Sequence, residues 1–198
     1  MTQYLRTFLA IELPDSIKKE ILYYIQSYRD LAKSMIKWVN RENLHITLKF
    51  LGEFDQSHVQ HLNFKLIDHL KSIPIFKIHI DRMGAFPNLH KPKVIWLGLD
   101  YPENFDQIYR HIEDSVVRLG YEADDKSFSP HLTLGRVRRD LSISEIKDIG
   151  QIMTSANLSF QAEFIAERVT FFQSELTREG PIYTKLFEVN LASSPSLC

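Results

Sequence analysis

The chain has 198 residues, of which 44% are hydrophobic and 25% are charged, and this composition is typical of a globular protein with a buried core. Its formal net charge of −1 excludes a protein that binds nucleic acid through a strongly positive overall field, but not a local basic pocket. Cys198 is the single cysteine, which excludes a disulfide framework and a cysteine-based metal site and favours a reducing, intracellular setting.

Hydropathy patterns predict alternating strands and helices through the first half of the chain. Asp15 and Ser16 are candidate N-cap residues for a first helix that extends to Tyr28. Gly52 is expected to end the strand at 45–50, and a loop rich in turn-forming residues follows the strand at 75–83. The predicted strands cover residues 8–13, 35–39, 45–50, 75–83 and 94–99, and the predicted helices cover residues 17–28, 56–71 and 104–119.

The second half of the chain continues the alternation. Ser129 and Pro130 are expected to open a strand, since proline is tolerated at a strand's first residue. The pattern then predicts a short helix near 143–153, a long strand at 160–172 and a last strand at 182–189. No apolar run approaches the ~20 residues that a membrane span needs, and no signal peptide is visible, so we expect a cytoplasmic protein that does not enter a membrane.

The same short phrase occurs twice, at residues 45–50 and 131–136. In each copy a histidine and a threonine two positions later lie in an apolar run, so a strand places both on one face. With 8 histidines and 8 threonines in 198 residues, chance gives about 0.3 His-x-Thr triplets, so two matching copies indicate function. The phrases are 86 positions apart, consistent with an internal duplication. We expect one α+β domain over residues 1–198, made of two similar lobes whose motif strands face each other across a groove.

The paired motifs could act on one small anion. His45 and His131 can serve as an acid and a base, because imidazole titrates near pH ~6.5 when unperturbed and can be neutral or protonated at working pH. The hydroxyls of Thr47 and Thr133 share the faces of these histidines and can donate to an anionic oxygen. Such a set suits in-line displacement at phosphorus, where one imidazole removes a proton from the nucleophile and the other supplies one to the leaving oxygen.

Other interpretations fit these residues less well. A single histidine in a strand is usually a structural residue, and the other six histidines are interpreted in this way. Two histidines could contribute to a zinc site, but neither motif supplies a third ligand at short spacing, and no His-Glu-x-x-His occurs. A Ser-His-Asp hydrolase and a nucleotide triphosphate site are poorly supported, because the sequence has neither a Gly-x-Ser-x-Gly elbow nor a glycine-rich phosphate loop.

With these motifs, the chain resembles the 2H phosphoesterases, specifically the RNA 2′,3′-cyclic phosphodiesterase (2′-5′ RNA ligase-like) family. The resemblance covers nearly the full length. The paired His-x-Thr motifs are its specific part, and the other segments report mainly the fold. The matching segments are residues 6–11, 38–39, 42–52, 84–87, 95–98, 128–136, 174–176 and 180–183.

The resemblance implies a bilobal fold of pseudo-duplicated antiparallel sheets, with helices on the outer faces and both motifs in a central groove. It implies that His45 matches the proton donor and His131 the proton acceptor. It also implies that Thr47 and Thr133 hold phosphate oxygens.

Phe50 and Arg136 each lie five residues after their histidine, so a regular strand would turn both away from the histidine's face. The resemblance implies that Phe50 stacks on a nucleobase and that Arg136 adds positive charge to the phosphate site. A bulge or strand end near Gly52 and Gly135 must then redirect both side chains. The residues alone leave open a core phenylalanine and a solvated arginine.

We therefore expect an enzyme without metal or cofactor that opens RNA terminal 2′,3′-cyclic phosphates and leaves 2′-phosphates. Its substrates would be RNA ends or small cyclic nucleotides, and it would act as a monomer. Two alternatives stay open. One is reversible 2′-5′ RNA ligation by the same site, because acid and base exchange roles in the reverse direction. The other is a nucleotide- or RNA-binding module without turnover.

Overall fold

The computed structural model describes residues 3–32, 34–125, 127–155 and 159–193, so Cys198 lies outside the described residues. The strands are β1 (Tyr4–Glu12), β2 (Ile36–Trp38), β3 (His45–Asp55), β4 (Phe76–Phe86), β5 (Val94–Asp100), β6 (Leu132–Val137), β7 (Gln161–Ala166), β8 (Arg168–Leu176) and β9 (Pro181–Asn190). The helices are α1 (Asp15–Tyr24), α2 (Gln26–Leu31), α3 (Val59–Leu70), α4 (Glu103–Val117) and α5 (Ile143–Ser155), with 3₁₀ turns at Arg41–Asn43 and Gln56–His58.

One curled antiparallel sheet contains all of these strands, and its two halves meet at the strands that carry the motifs. The strand order is β7-β4-β5-β6-β3-β1-β8-β9, and β2 pairs with β6. Strands β3 and β6 pair only through Ile46 and Leu132, so four strands of this order lie on each side of the junction. The expected pseudo-duplicated antiparallel halves are confirmed. The motif strands, however, are neighbours in one sheet rather than opposite walls of a groove.

The core lies between the sheet and the helices because each element has one apolar face. On α3 the buried residues recur every fourth position, as a helix packed on one side requires, and α4 shows a similar stripe. The buried residues of these stripes are Leu62, Leu66 and Leu70 on α3, and Phe105, Ile108, Ile112 and Val116 on α4. None of the described helices combines the length and the apolar character needed to cross a membrane.

The motif strands bury their apolar side chains as the alternation predicts. Ile46 and Leu48 of β3, and Leu132 and Leu134 of β6, are all at most 2% exposed. In each motif the histidine precedes these two residues and the threonine lies between them, and both are partly exposed on the other face. Each motif therefore presents its polar pair away from the core.

Several element boundaries differ from the sequence predictions. The first helix starts at Asp15 with Pro14 in the N-cap position and no side-chain cap, so neither Asp15 nor Ser16 is the N-cap. The predicted helix to Tyr28 is two helices, α1 and α2. Gly52 lies inside β3 at a φ of 62°, and that strand continues to Asp55.

The predicted long strand at 160–172 is also wrong, because it consists of the two strands β7 and β8. Strand β7 pairs with β4 in one half of the sheet, and β8 pairs with β1 in the other half. The exposed charged residues Glu167 and Arg168 lie where the two strands meet, and the hydropathy of each strand does not identify its partner. The second motif strand begins at Leu132, so Ser129 and Pro130 lie before it.

Candidate functional site

His45 lies at the start of β3, and Leu44 separates it from the 3₁₀ turn Arg41–Asn43. Its Nδ1 lies 2.7 Å from the main-chain carbonyl of Asn43, so the ring donates from Nδ1 and keeps Nε2 unprotonated in its neutral form. Nε2 lies 3.0 Å from Oγ1 of Thr47, which donates to it in that form. The first motif thus has a fixed tautomer, with the second ring nitrogen beside the threonine hydroxyl.

His131 is held by the same main-chain contact in the second copy. Its Nδ1 lies 2.9 Å from the carbonyl of Ser129, two residues earlier, as the Nδ1 of His45 lies against Asn43. This contact again leaves Nε2 as the ring nitrogen available for proton transfer. Both imidazoles are therefore oriented by rigid backbone rather than by a mobile side chain.

Matching β-bulges bring Phe50 and Arg136 to the face of the histidines. In the pairing of β3 with β1, Thr47 and Lys49 oppose consecutive residues of β1, which leaves Leu48 as the extra residue. In the pairing of β6 with β5, the same shift leaves Leu134 as the extra residue. The bulges that redirect Phe50 and Arg136 thus lie at Leu48 and Leu134, one residue after each threonine, rather than at Gly52.

All six predicted site residues line one cleft of about 210 Å³. Residues 37–40 and Asn43 form another part of its wall, and residues 179–181 with Tyr183 form the rest. The six predicted residues are His45, Thr47, Phe50, His131, Thr133 and Arg136. The phenyl group of Phe50 is 61% exposed, so it is not a core residue.

Aromatic rings surround His45 and change its protonation. The ring centroid of Phe8 lies 4.8 Å from that of His45, and Tyr183 meets the imidazole edge-on at 5.4 Å. Burial lowers the pKa of His45 to about 4. The hydrogen bond to the carbonyl of Asn43 opposes this shift, and the positive charge of Lys18 adds to it. His45 is therefore neutral near pH 7 in the ligand-free protein.

His131 has a corresponding aromatic support from β4 and β5. Phe86 meets its ring edge-on at 5.0 Å, and the indole of Trp96 lies 6.5 Å away. A side chain at Gly84 would collide with this indole, so the glycine allows the close approach of β4 to Trp96.

Sequence reasoning assigned no role to several residues of this site. Asn43 accepts from His45 through its carbonyl, and its side-chain amide donates to the carbonyl of Pro181 at 2.9 Å, which links two walls of the cleft. Tyr183 lines the cleft, and burial raises the pKa of its hydroxyl. Both residues lie in segments of the family resemblance, which was the only available signal for them. Lys37 and Glu179 also line the cleft without such a signal.

Lys49 was missed as well, because its partners are distant in the sequence. Its ammonium is 2% exposed, forms an ion pair with Glu113 of α4 and lies 2.9 Å from a carboxylate oxygen of Asp124. These contacts tie the first motif strand to the connection that leads from α4 to His131. Gly135 occupies the corresponding position of the second motif.

The carboxylates and imidazoles of the described residues do not form a group of three or more that could hold a metal ion.

Comparison with known proteins identifies the family. The model of the LigT-like phosphoesterase family matches the chain twice, over residues 11–96 and 98–183. The chain belongs to this family. The first match contains His45 and the second contains His131, in line with the internal duplication that the sequence indicated.

Two relatives and one solved structure illustrate the similarity. The RNA 2′,3′-cyclic phosphodiesterase of Methanocaldococcus jannaschii is 37% identical over 185 residues, which cover 93% of this chain and 99% of the relative. The protein of the same name from Methanothermobacter thermautotrophicus is 32% identical over 182 residues, 91% of this chain and 96% of the relative. The crystal structure of TT0787 from Thermus thermophilus has a TM-score of 0.79 at 24% identity, over 96% of this chain and 100% of that one, and shares the fold.

Proposed function

We propose that this LigT-like phosphoesterase hydrolyses the 2′,3′-cyclic phosphodiester at the end of an RNA chain to a 2′-phosphomonoester. The observation that carries the proposal is the convergence of two equivalent His-x-Thr units on one cleft, each with its histidine Nδ1 tied to a carbonyl. The relatives named RNA 2′,3′-cyclic phosphodiesterase match over almost their entire length and support the same substrate.

The two imidazoles supply the proton transfers of the reaction. Nε2 of His131 removes a proton from water, whose oxygen attacks phosphorus. The bond from phosphorus to the 3′ oxygen breaks, and His45 donates its Nε2 proton to that leaving oxygen. The product carries a 2′-phosphate, and exchange of one proton with solvent returns both imidazoles to their starting forms. No metal ion is required for any of these steps.

The remaining polar groups hold the phosphate during the attack. The hydroxyls of Thr47 and Thr133 lie on the same face as the imidazoles and donate to the non-bridging oxygens. The guanidinium of Arg136 adds positive charge where the transition state gains negative charge. The exposed ring of Phe50 is placed to stack on the terminal base without selecting among bases.

The low pKa of His45 sets a condition on its role as the proton donor. In the empty cleft burial favours the neutral form, so the donor must gain its proton as the anionic substrate binds. A phosphate anion beside Nε2 raises the imidazole pKa, because the opposite charge favours the protonated form. Substrate and proton therefore bind together at His45.

The same groups also serve 2′-5′ ligation. A 5′-hydroxyl that replaces water as the nucleophile loses its proton to His131, the bond from phosphorus to the 3′ oxygen breaks, and His45 protonates that oxygen, which joins RNA ends through a 2′-5′ linkage; acid and base exchange roles when this linkage is cleaved again. Water at bulk concentration favours hydrolysis over this ligation. Because one chain supplies all six groups, we propose that the enzyme acts as a monomer on RNA ends or small cyclic nucleotides, and that it works in the cytoplasm.

The direct test is incubation of the protein with a short RNA that ends in a 2′,3′-cyclic phosphate, in the presence of a chelator. Phosphorus NMR distinguishes a 2′-phosphate from a 3′-phosphate and from the unreacted cyclic ester. We expect the 2′-phosphate alone. Tight nucleotide binding without turnover would contradict the proposal and would favour a binding module.

A further inference from the structure

Two cations face each other across the β2–β6 pair at the side of the cleft. Lys37 of β2 lies directly opposite Arg136 of β6, so both side chains project from the same face of the sheet. Directly opposed side chains have their Cβ atoms ~5 Å apart, and like charges in this arrangement destabilise a sheet. Both residues are exposed and line the cleft of the two motifs.

The repulsion between these cations is not relieved by an ion pair within the protein. Among the residues that the structure describes, neither Lys37 nor Arg136 has a carboxylate oxygen within 4.0 Å. The carboxylate of Glu179 lines the same cleft but does not pair with either cation. An anion bound beside these two unpaired cations would offset the repulsion between them.

The position of Lys37 indicates which anion this is. Arg136 follows Thr133 on β6 and borders the site of the cyclic phosphate, whereas Lys37 lies on the neighbouring strand β2, ~5 Å from Arg136 and further along β6 from His131 than the single pair of β3 with β6. In an RNA chain, the next anion after the terminal cyclic phosphate is the phosphodiester on the 5′ side of the same ribose. A lysine ammonium suits such a contact because it is a mobile point charge that binds phosphate without reading a base.

We propose that Lys37, beside Arg136, binds the phosphate on the 5′ side of the terminal nucleotide. The cleft then selects cyclic phosphates that carry a 5′-phosphate or a preceding nucleotide over those with a free 5′-hydroxyl. This inference rests on the proposed function and specifies its substrate.

The test compares three substrates in the wild-type protein and in Lys37→Met. They are a nucleoside 2′,3′-cyclic phosphate with a free 5′-hydroxyl, the same compound with a 5′-phosphate, and a dinucleotide with a 2′,3′-cyclic phosphate end. We expect Lys37→Met to lower kcat/KM about five- to tenfold for the two substrates with a 5′-side phosphate, and to leave the first within about twofold. For the dinucleotide, the slope of log kcat/KM against log salt should become less negative by about 0.7, the value for one phosphate contact on a single strand.

Two control variants separate charge from structure. Lys37→Arg keeps the charge and should retain the preference for a 5′-side phosphate. Lys65→Met removes an exposed lysine of α3 that does not line the cleft, and should change neither rates nor salt slope. An equal loss of kcat/KM on all three substrates, or no loss on any, would refute the role of Lys37.

The outcome of this test differs from a failure of the proposed function. A wild-type protein that hydrolyses none of the three substrates refutes the proposed function. In that case the Lys37 site is tested by binding, with fluorescence used to measure the affinity for a labelled dinucleotide that ends in a 2′-phosphate. Equal affinities for wild type and Lys37→Met would refute it there too, whereas weaker binding by the variant would support it.

Discussion

The rings of Phe8 and His45 are in contact across β1 and β3, with their centroids 4.8 Å apart and their planes inclined by 32°. Phe8 is 1% exposed and belongs to a small apolar cluster with Ala10 and Phe172. The imidazole of His45 therefore borders a water-excluding surface, which disfavours its cationic form. This contact contributes to the burial that lowers the pKa of His45.

We predict that His45 titrates with a pKa of about 4 in the ligand-free protein, because burial penalises its cation. NMR of the imidazole nitrogens would follow this titration and identify Nδ1 as the protonated atom above it. Added inorganic phosphate or a nucleoside 2′-phosphate should raise the pKa, since the anion stabilises the protonated ring. A His45 that titrates near 6.5 without ligand would contradict the prediction.

The same shift predicts how stability depends on pH. The folded-state pKa of about 4 lies below the ordinary value of 6.5, so the unfolded chain binds a proton at His45 before the folded chain does. The stabilisation from a neutral His45 is complete above pH 6.5 and is lost as the pH falls from 6.5 towards 4. Urea unfolding across this range should show a weaker pH dependence for His45→Gln than for the wild type.

His131→Ala should lower kcat at least ~10²-fold, because general base catalysis is lost, and His45→Ala should cause a similar loss of the general acid. Both side chains lie at the cleft, so circular dichroism and thermal unfolding should show a folded protein in each case. The wild-type rate should be bell-shaped in pH, because the mechanism needs one imidazole as the base and the other as the acid. Near-normal turnover by His131→Ala would rule out the two-histidine mechanism.

Much of the fold followed from local patterns in the sequence. The alternation in residues 45–48 and 131–134 predicted which side chains enter the core, and the burial of Ile46, Leu48, Leu132 and Leu134 confirms it. The division of residues 160–172 into β7 and β8 does not follow from hydropathy, because it depends on the pairing of β7 with β4 and of β8 with β1.

The parts of the site that could not be predicted depend on pairing between distant segments. The bulges at Leu48 and Leu134 exist only through the registers of β3 with β1 and β6 with β5. The sequence of one strand does not determine its register with another, so only the family resemblance predicted that Phe50 and Arg136 line the cleft. Lys37 was overlooked for the same reason, because its position opposite Arg136 is a property of the β2–β6 pair.

Hydrolysis should persist after exhaustive treatment with chelator, and added Zn²⁺ or Mg²⁺ should not raise it. The expectation follows from the two imidazoles, which supply both proton transfers, and from Arg136 and the two threonine hydroxyls, which supply the charge and hydrogen bonds at phosphate. Rates measured in metal-free buffer before and after each addition provide the check. Loss of activity in chelator with recovery on one metal would indicate a metallohydrolase instead.

Phe50 and Arg136 occupy the same position in the two motifs and should affect different kinetic constants. Phe50→Ala removes base stacking of about 1–3 kcal/mol, so it should raise KM and leave kcat within a few-fold. Arg136→Ala removes charge that is needed most in the transition state and should lower kcat itself. Steady-state kinetics on a dinucleotide with a cyclic phosphate end separates the two. The roles are wrong if Arg136→Ala leaves kcat intact or Phe50→Ala lowers kcat more than it raises KM.

Lys49→Met should destabilise the protein by about 3 kcal/mol, because Glu113 loses its buried partner and is only 15% exposed. The loss of stability should lie near the lower end of the range for broken buried ion pairs, since Asp124 is 42% exposed and can be hydrated. Urea unfolding measures this change. Lys77→Met, which breaks an exposed pair with Glu163, is the matched control and should cost less than ~1 kcal/mol.

The same variant tests whether Lys49 supports the second motif. The contact with Asp124 anchors the connection that precedes His131, so its loss should lower kcat under conditions where the protein remains folded. The double variant Lys49→Met/Glu113→Gln removes the buried charge on both sides and should recover part of the stability but little of the rate. Full recovery of kcat together with stability would show that Lys49 acts on the fold alone and does not position His131.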